Sequence, residues 1–164
     1  MKHLREWIES IVLGDFLKVV NILRRAYPNV ALTTDIIVGF PGETDEEFNK
    51  TYEFLKKVAF YKMHIFKYSP RKGTKAAKME NQIDGNIKEK RSRILIELSD
   101  NNEKKYNQSY IGKKVEVLFE EPDGEYIKGH TTNYIMVKTQ NNILENTINS
   151  VKITKMDNLE LIGE

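Results

Sequence analysis

The segment Asp35-Ile-Ile-Val-Gly-Phe-Pro-Gly-Glu-Thr44 lies in the first third of this chain of 164 residues and indicates an α/β fold. Ile36-Ile-Val38 is continuously apolar, as is typical of a strand buried on both faces of a parallel sheet. Gly39-Phe-Pro-Gly42 has the composition of a turn. Thr44 followed by Glu47 predicts the capping box that opens a helix. The segment therefore predicts a strand, a turn and a helix in succession.

The flanking sequence continues this alternation of helices and strands. A helix is predicted over residues 16–27, ended by Pro28, and the first strand over residues 30–38. A second strand is predicted over residues 63–68, after the helix that Thr44 opens. The order is that of a β-α-β unit. The predicted apolar positions are Phe16, Val19, Val20, Ile22, Leu23 and Ala26 in the first helix and Phe48, Tyr52, Leu55 and Val58 in the second.

The second half of the chain changes character. A long polar helix is predicted over residues 86–110, and it is expected to connect two domains while covering one edge of another part of the protein. From residue 113 onward the apolar residues alternate with period two, which predicts a small antiparallel barrel. The predicted domains are residues 1–107 and 108–164. The helix stripe is Ile87, Ile94, Leu95, Leu98 and Tyr106, and the strands are Val115–Phe119, Tyr126–Ile127, Tyr134–Val137, Ile143–Leu144, Val151–Ile153 and Leu159–Leu161.

The first domain has too few strands for a complete barrel. Two or three strands in its residues cannot close an eight-stranded α/β barrel, which takes about 250 residues. We therefore expect a partial barrel whose remaining strands belong to sequence outside this chain. Its apolar sheet edge should then be exposed and should favour self-association.

Composition excludes several classes of function. Hydrophobic residues make up 40% and charged residues 30%, as in an ordinary soluble domain. No apolar run approaches the roughly 18 residues of a membrane span, and the N-terminal residues make a poor signal peptide, so a cytoplasmic location is expected. The chain has no cysteine and three scattered histidines, so no metal site is predicted within it.

Charge is distributed unevenly along the chain. Residues 1–107 carry 20 Lys and Arg against 15 Asp and Glu, whereas residues 108–164 carry 6 against 9. Eight cations and no carboxylate lie between Glu53 and Glu80. Such a run attracts polyanions through counterion release, and it is equally compatible with a solvated face.

The glycine turn lies where α/β folds bind ligands, beyond the carboxyl end of a strand. Gly39 and Gly42 allow close approach to the backbone, and Pro41 stiffens the turn. The following helix opens with four carboxylates, Glu43 and residues 45–47, which disfavour an anion and favour a neutral or cationic nucleotide-like ligand. A tight turn with a strongly capped helix and no ligand is the alternative.

The second strand and its loop supply further candidates. Phe66 and Tyr68 alternate to one face and could stack on an adenine, while Ser69 and Arg71 offer polar donors at the strand end. His64 lies on the same face. The alternative is a core strand that leads into a flexible basic loop.

These segments resemble the C-terminal part of the radical S-adenosylmethionine methylthiotransferases. Three motifs occur in the family's order: Val38-Gly-Phe-Pro-Gly-Glu-Thr44, Tyr68-Ser-Pro-Arg-Lys-Gly-Thr74 and Ala76-Ala-Lys-Met79. The helix over residues 88–99 is similar as well. The segment with Gly129-His-Thr-Thr-Asn-Tyr134 resembles a TRAM domain, the small OB-like barrel with which these enzymes hold tRNA.

The resemblance implies a cofactor site and a substrate. It spans roughly residues 16–164, whereas residues 1–15 match nothing in the family. It implies that the adenosine half of S-adenosylmethionine contacts Gly39, Phe40, Pro41, Gly42, Glu43, Phe66, Tyr68, Ser69 and Arg71. It also implies two [4Fe–4S] clusters in the full-length enzyme, whose cysteines are not in this chain. No catalytic residue is therefore assigned here, and the chain alone is expected to be inactive until joined to its N-terminal regions.

Within the family, Ala31-Leu-Thr-Thr-Asp-Ile-Ile-Val38 most resembles the branch that modifies threonylcarbamoyl-adenosine beside the tRNA anticodon. Sister branches act on isopentenyl-adenosine or on a ribosomal protein. Since the barrel sequence is acidic overall, most phosphate contact is expected from residues 62–78, with Tyr126 and Tyr134 as stacking candidates or else packing residues. The predicted RNA-binding residues are Lys62, Lys67, Arg71, Lys72, Lys75, Lys78, Lys113, Lys114, Lys128, His130, Asn133 and Tyr134.

Two other functional hypotheses remain open. The basic run and the terminal barrel are also compatible with a stand-alone RNA-binding module without catalysis. The glycine turn by itself is compatible with an unrelated nucleotide-binding α/β protein.

Overall fold

The computed structural model describes the backbone of residues 2–164 and the side chains of residues 13–164. The chain forms two compact units, residues 1–30 and residues 31–164. The first unit is helix α1, Lys2–Ala26, which ends two residues before Pro28. It is longer than the predicted helix and runs through the residues that resemble nothing in the family. Of its predicted apolar stripe Val20 is buried, whereas Phe16, Val19 and Ile22 are exposed.

The second unit opens with the predicted β-α-β order. Strand β1 is Thr33–Val38, helix α2 is Asp45–Val58 and strand β2 is Lys62–Lys67. The two strands are parallel, with Ile37 in register with Phe66. The capping box is confirmed, since Thr44 accepts a hydrogen bond from the Glu47 N–H and the Glu47 carboxylate accepts one from the Thr44 N–H. Helix α2 buries Phe48, Leu55 and Val58 as predicted, but Tyr52 is only half-buried.

This small sheet is open on one side. Among the described residues β1 pairs only with β2, as the shortage of strands predicted. Ile37 and Phe66 lie side by side on one face and are 59% and 53% exposed. Val38 and Met63 point to the opposite face and are buried.

Helix α3, Gly85–Gln108, confirms the long polar helix, but its buried side is not the predicted apolar stripe. Leu95 is fully buried, whereas Ile87 is exposed and the remaining stripe residues are half-buried. The residues buried at intervals of four are otherwise polar. They are Arg91, Ser99, Glu103 and Asn107, with Ser92 beside them. A spacing of four residues keeps side chains on one face of a helix.

This polar stripe bonds the helix to the rest of the unit. Ser99 Oγ accepts a hydrogen bond from the Met63 N–H at 2.9 Å and donates one to the Met63 carbonyl at 3.3 Å. The helix therefore covers the outer edge of β2, as expected. Further along, Glu103 accepts from Lys62 Nζ at 3.2 Å, and Asn107 Nδ2 donates to the carbonyl of Leu159 at 2.6 Å.

The C-terminal strands form a closed barrel in the order β3-β4-β5-β7-β6, with β6 also pairing with β3. The strands are β3 Lys114–Asp123, β4 Tyr126–Thr131, β5 Met136–Thr139, β6 Thr147–Asp157 and β7 Glu160–Gly163. The small OB-like barrel is thus confirmed. Its core comprises Val117, Phe119, Ile127, Ile135, Val137, Val151, Ile153 and Leu161, joined by Tyr61 and Tyr110.

Two details of the predicted barrel are wrong. The pair β5 and β7 is parallel, so the barrel is not wholly antiparallel. Ile143–Leu144 is a loop, because Thr147 Oγ1 donates to the Leu144 carbonyl at 2.6 Å and Asn146 takes a left-handed conformation with φ 57°. The boundary predicted between residues 107 and 108 stays a prediction. In the described part of the chain, no helix is both long and apolar enough to cross a membrane.

Candidate functional site

The glycine turn between β1 and α2 has a defined shape. Gly39 and Gly42 both have positive φ, 72° and 86°, a region that side chains with a Cβ rarely adopt. Within the turn, the Glu43 N–H donates to the Phe40 carbonyl at 2.9 Å. From outside it, the carbonyl of Asn81 accepts the Gly42 N–H at 2.8 Å. The turn is therefore held both by its own backbone and by the loop that follows β2.

The carboxylates around the turn are bonded within the protein. Glu43 Oε2 accepts hydrogen bonds from the Gly39 N–H at 2.7 Å and from Arg91 Nη1 at 2.6 Å. Asp45 Oδ1 accepts from Arg91 Nη2 at 2.7 Å. Glu47 closes the capping box. The negative charge that disfavoured an anionic ligand is thus partly neutralised by Arg91, a residue that sequence reasoning did not select.

Arg91 remains positively charged. Burial lowers the pKa of its guanidinium, but the hydrogen bonds that it donates to Asp45 and Glu43 outweigh that effect, and the pKa is raised overall. In the sequence, Arg91 stands within a run of exposed basic residues. The one signal that could have selected it is its spacing of four from Leu95 and of eight from Ser99, which places it on the buried face of α3.

Aromatic and apolar side chains surround the turn. Phe40 packs edge-on against Tyr68 with ring centroids 5.3 Å apart, and both lie at the carboxyl end of the sheet. Lys88 Nζ lies 5.3 Å from the centre of the Tyr68 ring and donates to the Tyr68 carbonyl at 3.2 Å. The Tyr68 hydroxyl is buried and has no hydrogen-bond partner among the described residues. Together with the exposed ring of Phe66, these groups suit a flat, largely apolar ring with one polar edge.

The remaining predicted cofactor residues lie nearby in different settings. Pro41 is buried within the turn, whereas Ser69 and Arg71 are exposed in the loop after β2. His64 is exposed on the open face of the sheet, in register with Asp35. The structure thus brings Phe40 and Tyr68 into contact.

The loop after β2 carries a group of cations that form no ion pair with any described carboxylate. They are Arg71, Lys72, Lys75 and Lys78, all exposed, and we call them the loop cations. The loop is ordered by its own hydrogen bonds, including Thr74 Oγ1 to the Arg71 carbonyl at 2.9 Å and Gln82 Nε2 to the Met79 carbonyl at 2.9 Å. By contrast, Lys62 pairs with Glu103 at 3.2 Å and Lys67 with Glu89 at 2.7 Å.

Most predicted RNA-binding residues of the barrel are engaged internally. Lys128 pairs with Glu121 at 3.1 Å. Asn133 Nδ2 donates to the hydroxyls of Tyr106 and Tyr110. Lys113 Nζ lies 5.1 Å from the centre of the Tyr110 ring. Lys114 is exposed, with no ion pair to a carboxylate in the part of the chain that the structure describes.

Tyr134 differs from these residues because it is presented to solvent. It is 78% exposed, and its ring stacks on that of His130 with centroids 4.6 Å apart. His130 Nδ1 in turn lies 2.5 Å from Glu120 Oε2. Tyr134 has φ 68°, an unusual conformation for a bulky residue. Tyr126, the other stacking candidate, is half-buried.

The sequence contains no cysteine, the usual ligand of an iron–sulfur cluster. Among the side chains that the structure describes, no group of three or more His, Asp or Glu residues could hold a metal ion. The features that the chain does offer are a glycine turn at the end of a parallel sheet, an aromatic pair, a cationic loop and an OB-like barrel. They belong to an α/β segment that is followed by a small OB-like barrel.

Comparison with known proteins gives the class a name. No family model matches the chain. A threonylcarbamoyladenosine tRNA methylthiotransferase of Bacillus subtilis is 45% identical over 127 residues, covering 74% of this chain and 28% of the relative. The tRNA-2-methylthio-N(6)-dimethylallyladenosine synthases of Protochlamydia amoebophila and Caldicellulosiruptor saccharolyticus are 39% and 38% identical, covering 91% and 98% of this chain but 34% and 35% of the relatives.

The chain is therefore a homologue of the radical S-adenosylmethionine tRNA methylthiotransferases, which confirms the recognition made from its motifs. It spans about a third of the length of the curated relatives that it matches.

Proposed function

We propose that this chain is the part of a tRNA methylthiotransferase that holds the adenosine half of S-adenosylmethionine and contacts the tRNA. The observation that carries the proposal is the hydrogen bond from the Gly42 N–H to the Asn81 carbonyl, which ties the glycine turn to the loop that bears the loop cations. This hydrogen bond supports a proposal in which the nucleoside site and the phosphate-contacting loop are neighbours. The complete enzyme adds a methylthio group to a hypermodified adenosine next to the anticodon, and it acts in the cytoplasm, where tRNA resides.

Within this proposal the substrate is N6-threonylcarbamoyladenosine. The support is the sequence of β1 and the residues before it, Ala31–Val38. A relative named for that base is 45% identical, and relatives named for dimethylallyladenosine are 38–46% identical, so dimethylallyladenosine is the alternative substrate. A ribosomal-protein substrate is a further alternative, and nothing in the described surfaces favours it.

The residues present indicate which tasks belong to this chain and which belong to the cofactor and the clusters. Bound S-adenosylmethionine, together with the clusters, supplies the radical and sulfur chemistry, and cysteines elsewhere in the same enzyme would hold both clusters. The chain's own residues bind and orient. Phe40, Phe66 and Tyr68 would exclude water from the adenine ring. No residue of this chain is assigned a chemical step, and the chain alone should be inactive.

RNA would contact two surfaces, one through electrostatic attraction and the other through stacking. The loop cations would contact phosphates, since they are exposed and not neutralised by described carboxylates. Tyr134, stacked on His130, would offer a flat ring to an unpaired base. The acidic balance of the barrel is consistent with this division, and two of its lysines, Lys128 and Lys138, pair with its own carboxylates.

A salt titration of tRNA binding tests the RNA half of the proposal. Replacing all four loop cations by Gln should reduce the slope of log affinity against log salt by about 3 units, since each lost phosphate contact removes roughly 0.7–0.9. The matched control is Lys128→Gln with Lys138→Gln, which removes cations already paired with carboxylates. An unchanged slope in the loop variant would contradict the assignment.

Ligand titration tests the cofactor half. S-adenosylhomocysteine, followed by the amide shifts of residues 39, 40, 42, 43 and 68, should bind better than ATP, and Phe40→Ala should weaken its binding. Reconstitution with iron and sulfide should yield no stable cluster on this chain. Binding of tRNA without any binding of S-adenosylhomocysteine would favour the second candidate, a stand-alone RNA-binding module. A clear preference for ATP would favour an unrelated nucleotide-binding protein.

The open face of the sheet fits the same proposal. Ile37 and Phe66 would be covered by further strands of the partial barrel in the full enzyme. In isolation the chain should self-associate through that sheet, and sedimentation velocity at rising concentration would show it. A clean monomer at high concentration would count against this part.

A further inference from the structure

Arg91 occupies an unusual position for an arginine. Its side chain is 5% exposed, and its guanidinium lies between the glycine turn and the first residue of α2. Nη1 donates both to the Glu43 carboxylate at 2.6 Å and to the Glu43 carbonyl at 3.1 Å. Nη2 donates to Asp45 at 2.7 Å, and the guanidinium carbon lies 5.4 Å from the centre of the Phe48 ring. One helix residue thus bonds the last residue of the turn and the first residue of the next helix.

The carboxylate of Glu43 passes this restraint to the start of the turn. The oxygen that Arg91 contacts, Oε2, is the same one that accepts the Gly39 N–H at 2.7 Å. Gly39 is therefore hydrogen-bonded across the turn to Glu43, and Arg91 of helix α3 holds Glu43 in place. The side chain of Lys88 lies against the other side of Gly39, so that a Cβ built on Gly39 would come within 2.4 Å of Lys88 Cγ.

This arrangement answers a physical need of the turn. Two glycines with positive φ give the backbone the shape that a close-lying ligand requires, but glycine loses more conformational freedom on folding than any other residue. A turn of this composition would otherwise sample many shapes. Because binding affinity improves when the bound shape already dominates, a restraint from outside the turn acts on the ligand site without touching the ligand.

We propose that Arg91 is a positioning residue, which holds the Glu43 carboxylate against the Gly39 N–H and so keeps the glycine turn in its ligand-receiving shape before any ligand is present. The role rests on geometry and goes beyond the proposed function, which supplies only the identity of the ligand. In this arrangement Glu43 stabilises the shape of the turn itself. Lysine would replace Arg91 poorly, because a single ammonium cannot reproduce the planar fork that reaches Glu43 and Asp45 together.

Amide exchange of the whole chain tests the proposal without any ligand. In Arg91→Met the Gly39 amide should exchange about tenfold faster or more, and its proton resonance should move upfield as its bond to the carboxylate is lost. Arg91→Lys should lie between Arg91→Met and the unchanged chain. The matched control is Arg93→Met, which removes an exposed arginine of the same helix and should leave Gly39 unaffected. Amides of the barrel core, such as Val117 and Val137, should keep their protection throughout.

Two results would overturn the inference. One is an unchanged Gly39 exchange rate in Arg91→Met, and the other is an equal acceleration of the barrel amides, which would mean that Arg91 merely stabilises the fold. If Arg91→Met does not fold, the double variant with Glu43→Gln avoids an unpaired buried carboxylate, and the same acceleration at Gly39 is expected there.

Titration with S-adenosylhomocysteine adds a second readout. Arg91→Met should bind it about tenfold more weakly than Arg93→Met, as expected when the competent shape becomes a minor one. Equal binding by the two variants would contradict the positioning role. If neither the unchanged chain nor any variant binds it, the proposed function loses support, while the exchange rates still decide the role of Arg91.

Discussion

The side-chain amide of Asn133 donates a hydrogen bond to the hydroxyl of Tyr110 at 2.8 Å, and a second one to Tyr106 at 2.9 Å. Asn133 lies in the turn between β4 and β5, whereas both tyrosines lie at the end of α3 or just beyond it. Tyr106 also packs on Tyr61, with ring centroids 4.8 Å apart. A single amide therefore joins the barrel to the helix and, through the rings, to the segment before β2.

Replacement of Asn133 should weaken the attachment of the barrel turn. Asn133→Leu would leave both tyrosine hydroxyls without this donor, and we expect the free energy of unfolding to fall by about 1–2 kcal/mol. Urea unfolding followed by circular dichroism measures it. The control is Asn141→Leu, in the exposed loop after β5, which should change stability little. Equal stability of the two variants would show that the tyrosine contacts add nothing to the fold.

Alkaline stability should depend on Tyr61. Burial, aided by the charge of Glu103, raises the pKa of the Tyr61 phenol to about 12. In the unfolded chain the phenol ionises near pH 10, so the unfolded state loses its proton first and stability falls as the pH rises from about 10 to 12. Tyr61→Phe should remove about 2 kcal/mol of that fall at pH 12. Urea unfolding at pH 9, 10, 11 and 12 measures the slope, and parallel curves for the two proteins would refute the prediction.

Replacement of Tyr134 by glycine should raise the stability of the fold but weaken RNA binding. Its φ of 68° costs a residue with a Cβ roughly 1 kcal/mol, so Tyr134→Gly should not destabilise the fold and should raise the free energy of unfolding by up to about 1 kcal/mol. The same change should weaken binding to a single-stranded anticodon-loop RNA by about 1–3 kcal/mol through lost stacking. Tyr126→Ala is the comparison for binding. Unchanged RNA affinity in Tyr134→Gly would exclude a stacking role.

Gly129 should be irreplaceable in the barrel. A Cβ built there would lie 1.9 Å from the carbonyl oxygen of Leu118, and that backbone atom belongs to the paired strand β3. Gly129→Ala must push β3 and β4 apart next to the register shift after Phe119, and we expect a loss of about 3 kcal/mol. Gly124→Ala is a useful contrast, since a Cβ there meets nothing within 4 Å and only its φ of 64° opposes it. Thermal melts that rank Gly124→Ala as the worse variant would contradict this reasoning.

Local signals explain what the sequence predicted well. Thr44 and Glu47 lie three residues apart and cap α2 as expected, and the apolar run ending at Val38 forms a strand that lacks further partners among the described residues. The buried stripe of α3 could not be found in this way. Arg91 and Glu43 are 48 residues apart, and Asn107 and Leu159 are 52 apart, so the burial of these polar groups depends on partners that no local pattern reveals.

The candidate site was predicted unevenly for the same reason. The glycines of the turn and the aromatic residues beside it could be named because their residue types limit the backbone and the chemistry. The sequence could not show which cations are neutralised, because Lys128 reaches Glu121 only when β3 and β4 pair. The parallel pairing of β5 with β7 was missed because strands of four residues carry too little pattern to fix a partner.

Helix α3 holds two contacts at a fixed distance from each other. Arg91 bonds the glycine turn and Asn107 bonds the turn between β6 and β7, and at 1.5 Å per residue the two anchors stand about 24 Å apart along the helix axis. Inserting one residue between them would rotate the far anchor by about 100° and detach either the turn or the barrel. The number of residues between Arg91 and Asn107 thus sets the separation between the glycine turn and this side of the barrel.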